Sequence, residues 1–270
     1  PIWEKKFIHS SFACLPRKGP YGAIKFTQQK VRQLSQGGMA PLWILQLDIE
    51  KFFITINRTI LCTLLSKHCN HPKLLQLIKI IYNHDARIEV KRGWNPSLDK
   101  LVPPGKSWFG QRPEQGIPIG NLTSQFGANV YLTGLDHFIQ RELKPMAYVR
   151  YMDDLLLLGN NPQKLKIMFD PIDQWLNYHR HQRLNKNKTH LASLYDGITY
   201  LGYHLQQSDS AAEPLQVFPM AKKKWIWISA LKKLEHSTQG DMPNQIYEKP
   251  HSLAPFLPNP NVTKKIASIN

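Results

Sequence analysis

The stretch Ala147-Tyr148-Val149-Arg150-Tyr151-Met152-Asp153-Asp154-Leu155-Leu156-Leu157-Leu158 decides how this chain folds. β-Branched, aromatic and leucine residues flank two adjacent carboxylates on both sides, the pattern of a strand, a tight turn and a second strand. Neighbouring side chains of an extended strand point to opposite faces, so Asp153 and Asp154 can serve one ligand only from in or beside a turn. Two ionised carboxylates beside an apolar hairpin repel each other and lose hydration, a cost that a divalent cation offsets. Taken alone, the pair reads first as a solvated hairpin tip where aspartate suits turn geometry, and the rest of the chain changes that reading.

Composition narrows the partners. The chain has 270 residues, 42% of them hydrophobic, enough to bury the core of one large domain or two small ones. Lys and Arg (35) exceed Asp and Glu (19), giving a net charge of +16 and pointing to a polyanion. The longest leucine run, Leu155 to Leu158, falls far short of the ~20 apolar residues that span a bilayer, so no membrane is expected. Pro1-Ile-Trp-Glu-Lys-Lys6 lacks the pattern of a signal peptide and reads as a chain without its natural start. Cys14, Cys62 and Cys69 are odd in number and irregular in spacing, which argues against a disulfide framework and for the reducing cytoplasm. Cys62, His68, Cys69 and His71 lack the paired spacing of a zinc site.

Moving outward, Leu42 to Phe53 holds an apolar strand that delivers Asp48 at its C-terminal end, where a rigid sheet can fix a ligand. Before it, a basic loop with Arg17 and Lys18 opens a helix over about Tyr21–Ser35 that suits a phosphate at its start. Apolar residues at helical spacing follow, at Ile56 to Leu65 and Leu74 to Ile81. Residues 86 to 114 fit a hairpin over Arg87–Lys91 and a long loop. In the Gly/Pro-rich loop from Gln115, Gly116 and Gly120 allow close approach of a ligand, and Ser124 can cap the helix that runs to about Leu143. A helix over about Pro162–Tyr178 precedes His179 to Thr189, dense in cationic and amide side chains.

Ile198 to Leu205 reads as a strand broken by Gly202, and Ser208 to Pro214 as a linker. Lys222 to Leu234 mixes lysines with aromatics, which suits a nucleic-acid backbone or an ordinary amphipathic helix. Three carboxylates on adjacent strands, Asp48, Asp153 and Asp154, could hold two Mg²⁺ about 3.5–4 Å apart, the arrangement used in phosphoryl transfer.

The ordered set carries a family resemblance. Asp-Ile-x-x-Phe-Phe from Asp48, a loop with Ser124-Gln125 and Ala-Asn-x-Tyr-Leu, Tyr151-Met-Asp-Asp154, Leu-Asn-x-x-Lys-Thr to Thr189, and Tyr200-Leu-Gly-Tyr203 together resemble the successive motifs of reverse transcriptases. The likeness covers residues 7 to about 205. It implies an α+β right-hand polymerase, with fingers and an antiparallel-sheet palm over residues 1–207 and a linker and partial helical thumb over 208–270. The implied substrates are dNTPs, a primer and template RNA, copied into cDNA with two Mg²⁺ ions, for which Mn²⁺ can substitute. By position, Asp48 and Asp153 are implied to bind both metals, with Asp154 assisting and the Ile49 carbonyl completing one shell. Phe53 matches the gate against a ribose 2′-hydroxyl, and Arg17 and Lys18 match the basic residues that hold the triphosphate, although Pro20-Tyr21 replaces a frequent Thr-His. Lys188 matches the proton donor to pyrophosphate, and Tyr200, Leu201, Gly202 and Tyr203 match the primer grip.

One departure narrows the subtype. Where most of the family has Gln-Gly-x-x-x-Ser-Pro, this chain has Ile119-Gly120-x-x-x-Ser124-Gln125, similar to reverse transcriptases of diversity-generating retroelements. These copy RNA with errors at adenines and work with a small basic accessory protein. Replacing an amide by an aliphatic side chain removes a hydrogen-bond check on the paired nucleotide. A retron or group II intron-like enzyme of ordinary fidelity, and a non-catalytic RNA-binding fragment, are the alternatives. Val262 to Asn270 resembles the start of a last thumb helix, cut short.

Overall fold

A computed structural model describes residues 2–85, 87, 88, 95, 101, 108 and 110–220. Apart from Arg87 and Ile88, the expected hairpin over Arg87–Lys91 lies outside these residues, as do the lysine/aromatic helix from Lys222 and the segment from Val262. The described residues divide into two compact units, those of 2–198 with 206–216, and 199–205 with 217–220.

The first unit is built on a four-stranded antiparallel sheet of β1 (Trp43–Asp48), β2 (Ala147–Tyr151), β3 (Asp154–Gly159) and β4 (His190–Ser193), in the order β2-β3-β1-β4. β1 and β3 are the central pair, and both are apolar without alternation because both faces are covered. Leu155 to Leu158 are fully buried, together with Ile44 and Leu47.

α1 (Pro20–Leu34) starts on a proline that pre-sets the helical φ and buries Ala23, Ile24, Thr27 and Val31 along one stripe. It ends at Ser35, whose hydroxyl accepts the Gly38 N–H at 2.8 Å. α2 (Phe52–Thr55), α3 (Arg58–Ser66) and α4 (Pro72–Asn83) follow β1, and the Asn57 side chain caps α3 by accepting the Ile60 N–H. α5 (Leu122–Phe138) is buried on nearly every side, from Ser124 to Asp136, and continues as one π-helical turn over Ile139–Leu143. Gly127 lets it pack tightly, since a Cβ there would lie 2.8 Å from the Tyr82 ring.

The helix expected over Pro162–Tyr178 is two helices, α6 (Pro162–Lys166) and α7 (Phe169–Arg180). Pro171 is the reason. It sits in the first turn of α7, where its missing N–H costs nothing, and its ring would clash with the Ile167 carbonyl of an unbroken helix. Strands β5 (Ile198–Tyr200), β6 (Tyr203–Gln207) and β7 (Leu215–Pro219) pair in that order. The strand read as broken at Gly202 is a hairpin: Leu201 (φ 49°) and Gly202 (φ 78°) both adopt positive φ, as a two-residue primed turn requires. The stretch read as a linker closes the β6–β7 loop, with Ser208 N–H donating to the Pro214 carbonyl at 3.0 Å. Within the second unit, Met220 N–H donates to the Gly202 carbonyl at 3.1 Å. Among the described residues, no helix is long and apolar enough to cross a membrane.

An ion pair lies inside the first unit. Arg150 on β2 and Asp136 on α5 are both at 0% exposure, with Arg150 Nε and Nη2 donating to the two Asp136 oxygens at 2.7 and 2.8 Å. Tyr148 Oη donates to the same carboxylate at 2.8 Å, and Arg150 Nη1 donates to Asn129 Oδ1 at 3.1 Å. Asn129 in turn donates to the Ala13 carbonyl at 2.8 Å, tying the N-terminal segment to the sheet. Asp136→Asn therefore leaves a buried guanidinium without its counter-charge and is expected to lower stability by about 3–5 kcal/mol in denaturant unfolding. Replacing the pair together, Asp136→Leu with Arg150→Met, is expected to lose less; a double variant as unstable as the single one contradicts this reading.

Candidate active site

The sheet register brings the acids together. β1 ends at Asp48, directly opposite Asp154, the first residue of β3, and Met152-Asp153 form the turn between β2 and β3. Opposed residues of an antiparallel pair project from the same face, so Asp48 and Asp154 share one side of the sheet. Met152 holds φ at 55°, a conformation that costs a non-glycine residue about 1–2 kcal/mol. Two features offset that cost: its side chain is buried, and Arg150 Nη1 donates to its carbonyl at 3.1 Å. The buried ion pair thus also sets the turn that carries Asp153.

Burial pushes both turn carboxyls upward, and the neighbouring acids add to it. Asp154 is raised to about 7 by desolvation and then by the charges of Asp153 and Asp48. Asp153 is raised by desolvation first and by Asp48 among its neighbours. Lys188 supplies a cation: its Nζ lies 3.1 Å from Asp48 Oδ1, although 64% of its side chain is exposed. That hydrogen bond raises the Lys188 ammonium above its ordinary value and keeps it protonated. Asn185 adds a backbone N–H to the Asp48 carbonyl at 2.8 Å and a side-chain amide to Asp48 Oδ2 at 3.4 Å.

Among the described residues, no group of three or more His, Cys, Asp or Glu is arranged as a ready-made metal cage. The donor set still fits a hard divalent cation. It offers carboxylate oxygens in charge deficit, and Mg²⁺ takes one or two carboxylates and completes its shell with waters and phosphates. The Ile49 carbonyl, which the resemblance assigns to the same shell, has its direction set by the neighbouring backbone bonds. Asp48 C=O and Glu50 N–H bond to Asn185 and Arg183, so strand alternation turns the Ile49 C=O toward the other edge, where β3 lies. Cys62 and His68 have other partners, with the Cys62 thiol donating to Asn83 Oδ1 at 3.2 Å and the His68 ring edge-on to Trp3.

Phe53 lies on α2, half-buried, and its carbonyl accepts the Ile117 N–H at 3.0 Å. The loop carrying Ile117 is clamped by residues the sequence did not single out. Arg58 Nη1 donates to the Gln115 and Gly116 carbonyls at 2.9 and 3.1 Å, and Nη2 donates to the Pro113 carbonyl. Arg87 forks onto Asp85 at 2.7 Å twice and also donates to the Gln111 and Pro113 carbonyls. Those bonds from Arg87 hold the Asp85 carboxyl down to about 2.

Gly116 is not open to a ligand: a Cβ there would overlap the Trp108 ring, whose Nε1 donates to the Gln115 carbonyl at 3.1 Å. Gly120, at φ 98°, has open space around it, and Ile119 beside it is 73% exposed. Ser124 is buried within the first turn of α5 and does not occupy the N-cap, which is Asn121. Gln125 accepts the Cys14 thiol at 3.0 Å.

Arg17 is exposed, at φ 59°, whereas Lys18 folds back to donate to the His9 and Ser11 carbonyls at 2.6 and 2.9 Å. Both line a pocket of about 530 Å³ with Phe7, Ile8, His9 and Leu15. Tyr200, Leu201, Gly202 and Tyr203 belong to the second unit, where both tyrosines are buried at the ends of the hairpin turn.

Because the folded state favours protonated Asp154, its contribution to stability is present below the ordinary carboxyl value of ~3.9 and is lost as pH rises through about 7. In EDTA, Asp154→Asn is expected to raise the unfolding temperature at pH 8 by about 3–6 °C, to raise it less at pH 5, and to have little effect below the ordinary carboxyl value of ~3.9. An increment that is equal at pH 8 and pH 5 contradicts the assignment.

Comparison with known proteins agrees with this geometry. Residues 15–205 match the family model described as reverse transcriptase (RNA-dependent DNA polymerase). The Escherichia coli (strain K12) protein YkfC is 21% identical over 251 residues, covering 80% of this chain and 60% of YkfC. Telomerase from Candida albicans, solved with the TWJ fragment of telomeric RNA, superposes with a TM-score of 0.50 at 12% identity, covering 78% of this chain and 36% of that one. Apo telomerase from Candida tropicalis gives 0.50 at 14% identity over 81% of this chain and 38% of its own. The chain thus spans less than two thirds of each of these proteins, and the likeness to the telomerases is one of fold: mixed helices on an antiparallel polymerase sheet. With the family model matched over most of its length, the chain belongs to the reverse transcriptase family.

Proposed function

We propose that this chain carries the fingers and palm (residues 1–207) and a linker with thumb residues (208–270) of an RNA-directed DNA polymerase. It extends a primer 3′-hydroxyl with dNTPs while copying template RNA. The observation that carries this reading is the in-register pair Asp48–Asp154 with Asp153 in the adjoining turn, on a family member's central strands. Asp48, Asp153 and Asp154, with the Ile49 carbonyl, would hold two Mg²⁺ ions, or Mn²⁺ in their place. Such ions lower the pKa of the primer hydroxyl and neutralise the charge on the phosphates.

The chain's own residues do the rest. Lys188, protonated beside Asp48, holds a proton at Nζ for the leaving pyrophosphate. Phe53, tied to the loop by the Ile117 N–H, closes the space beside the sugar. Arg17 and Lys18 meet the triphosphate, for which Lys18 must leave its backbone carbonyls. Gly120 lets the template-paired nucleotide approach, Ser124 and Gln125 set the start of α5 beneath it, and Tyr200 to Tyr203 grip the primer.

Exposed Ile119 offers an aliphatic surface where an amide would test base geometry, which supports error-prone cDNA synthesis of the diversity-generating type with a small basic accessory protein. Three free thiols fit work in the reducing cytoplasm.

Primer extension on an RNA template tests the activity. Product should require Mg²⁺ or Mn²⁺ and fall about 10³-fold in Asp153→Asn; undiminished product in that variant would refute the assignment. Ile119→Gln is expected to lower misincorporation opposite adenine, counted by sequencing the products. Identical error spectra would remove the subtype and leave the polymerase intact.

A further inference from the structure

From Gln174 to Tyr195 the chain has no acidic residue, against Arg180, Arg183, Lys186, Lys188 and the histidines 179, 181 and 190. One end of this run is Lys188, already placed on Asp48. The other is the last turn of α7, where Tyr178 leaves 79% of its surface to solvent. The ring is braced from behind. It meets His179 edge-on with centroids 4.9 Å apart; His179 lies 4.7 Å from Trp175; and Trp175 lies 4.7 Å from the buried Arg180 guanidinium. Arg180 is anchored by donating to the Tyr131 carbonyl of α5 at 2.6 Å. An aromatic ring held open on a rigid stack loses little freedom when a flat partner covers it.

Beyond the helix, Arg183 exposes 57% of its side chain while one nitrogen of its fork is held 2.8 Å from Asp173. Asp173 also accepts the Leu184 N–H at 2.8 Å, so the guanidinium is positioned and the remainder of the fork faces solvent. Lys186 and the amides of Asn177 and Asn187 are exposed along the same run. A cation in a last helical turn complements the helix dipole, which accounts for Arg180 but not for Tyr178, Arg183 or Lys186.

We propose that the surface from Tyr178 through Arg183 to Lys186 binds single-stranded RNA outside the nucleotide-transfer site. An unpaired base stacks on Tyr178, phosphates meet Arg183 and Lys186, and the asparagine amides reach 2′-hydroxyls. A duplex cannot use the ring, because its bases are already stacked. The choice of RNA as partner rests on the polymerase reading, but the contact needs neither metal nor nucleotide.

Binding is therefore measured on the full chain in EDTA, by fluorescence anisotropy of a labelled oligouridylate of about 15 nucleotides, the span of one site. Tyr178→Ala should weaken it about 5- to 100-fold, and Tyr178→Phe should stay within about two-fold of wild type, since stacking needs the ring and not the hydroxyl. Arg183→Gln with Lys186→Gln should lower the slope of log affinity against log salt by about 1.4. A self-complementary RNA duplex should not respond to Tyr178→Ala, and oligothymidylate of equal length should bind more weakly than the RNA. Wild-type affinity in Tyr178→Ala, an unchanged slope in the double variant, equal loss on the duplex, or equal affinity for the DNA would each overturn the proposal. If Tyr178→Ala does not fold, the salt slope of the double variant decides. Failure of primer extension with these binding results intact would indict the polymerase reading and leave the surface standing.

Discussion

The Arg150–Asp136 pair is the constraint on which the site depends. Burying two charges completely is expensive, and an apolar pair of the same volume often serves stability as well or better. What an apolar pair cannot do is donate. Arg150 directs one nitrogen to Asn129 and to the carbonyl of Met152, the left-handed residue that makes the acidic turn. Its own backbone joins Ser10 and Phe12 through N–H and C=O bonds, so the N-terminal segment, β2, α5 and the turn converge on one residue. We read the pair as retained for placing the turn.

The acids placed by that pair are left in electrostatic debt. Asp154 lies across from Asp48 on the same face of the sheet, and burial beside Asp153 and Asp48 raises its carboxyl to about 7, a charge deficit the fold leaves open. Lys188 partly answers Asp48 from the solvent side, and no acid, thiol or imidazole among the described residues completes a cage. A site of this kind binds cations weakly when empty and well when phosphates arrive to supply the missing oxygens. In the proposed function, metal binding is in that way coupled to having the substrate in place.

Much of this was legible in the sequence because period and position carried it. The apolar run ending at Asp48 and the leucines after Asp154 read as buried strands, the latter entered through a turn, and the order of motifs carries the family. The misreadings have local causes. Pro171 split a helix whose apolar spacing runs through the break. In the sequence Gly202 reads as a flaw in one strand because Leu201, its partner in the turn, has no propensity for positive φ. Gly116 suggests room for a ligand, but Trp108, eight residues earlier in an unpatterned stretch, fills that room. The Arg58–Asp85–Arg87 clamp was invisible because its bonds go to loop carbonyls, which leave no mark on side-chain pattern.

The most direct test of a substrate-completed metal site is the number of Mn²⁺ ions bound per chain, read by electron paramagnetic resonance with and without an RNA-primed template and a non-hydrolysable dNTP. Weak binding by the free chain, rising to two ions per chain when primer-template and nucleotide are both present and lost in Asp153→Asn, is the predicted result. Tight binding without substrates, or none with them, contradicts it.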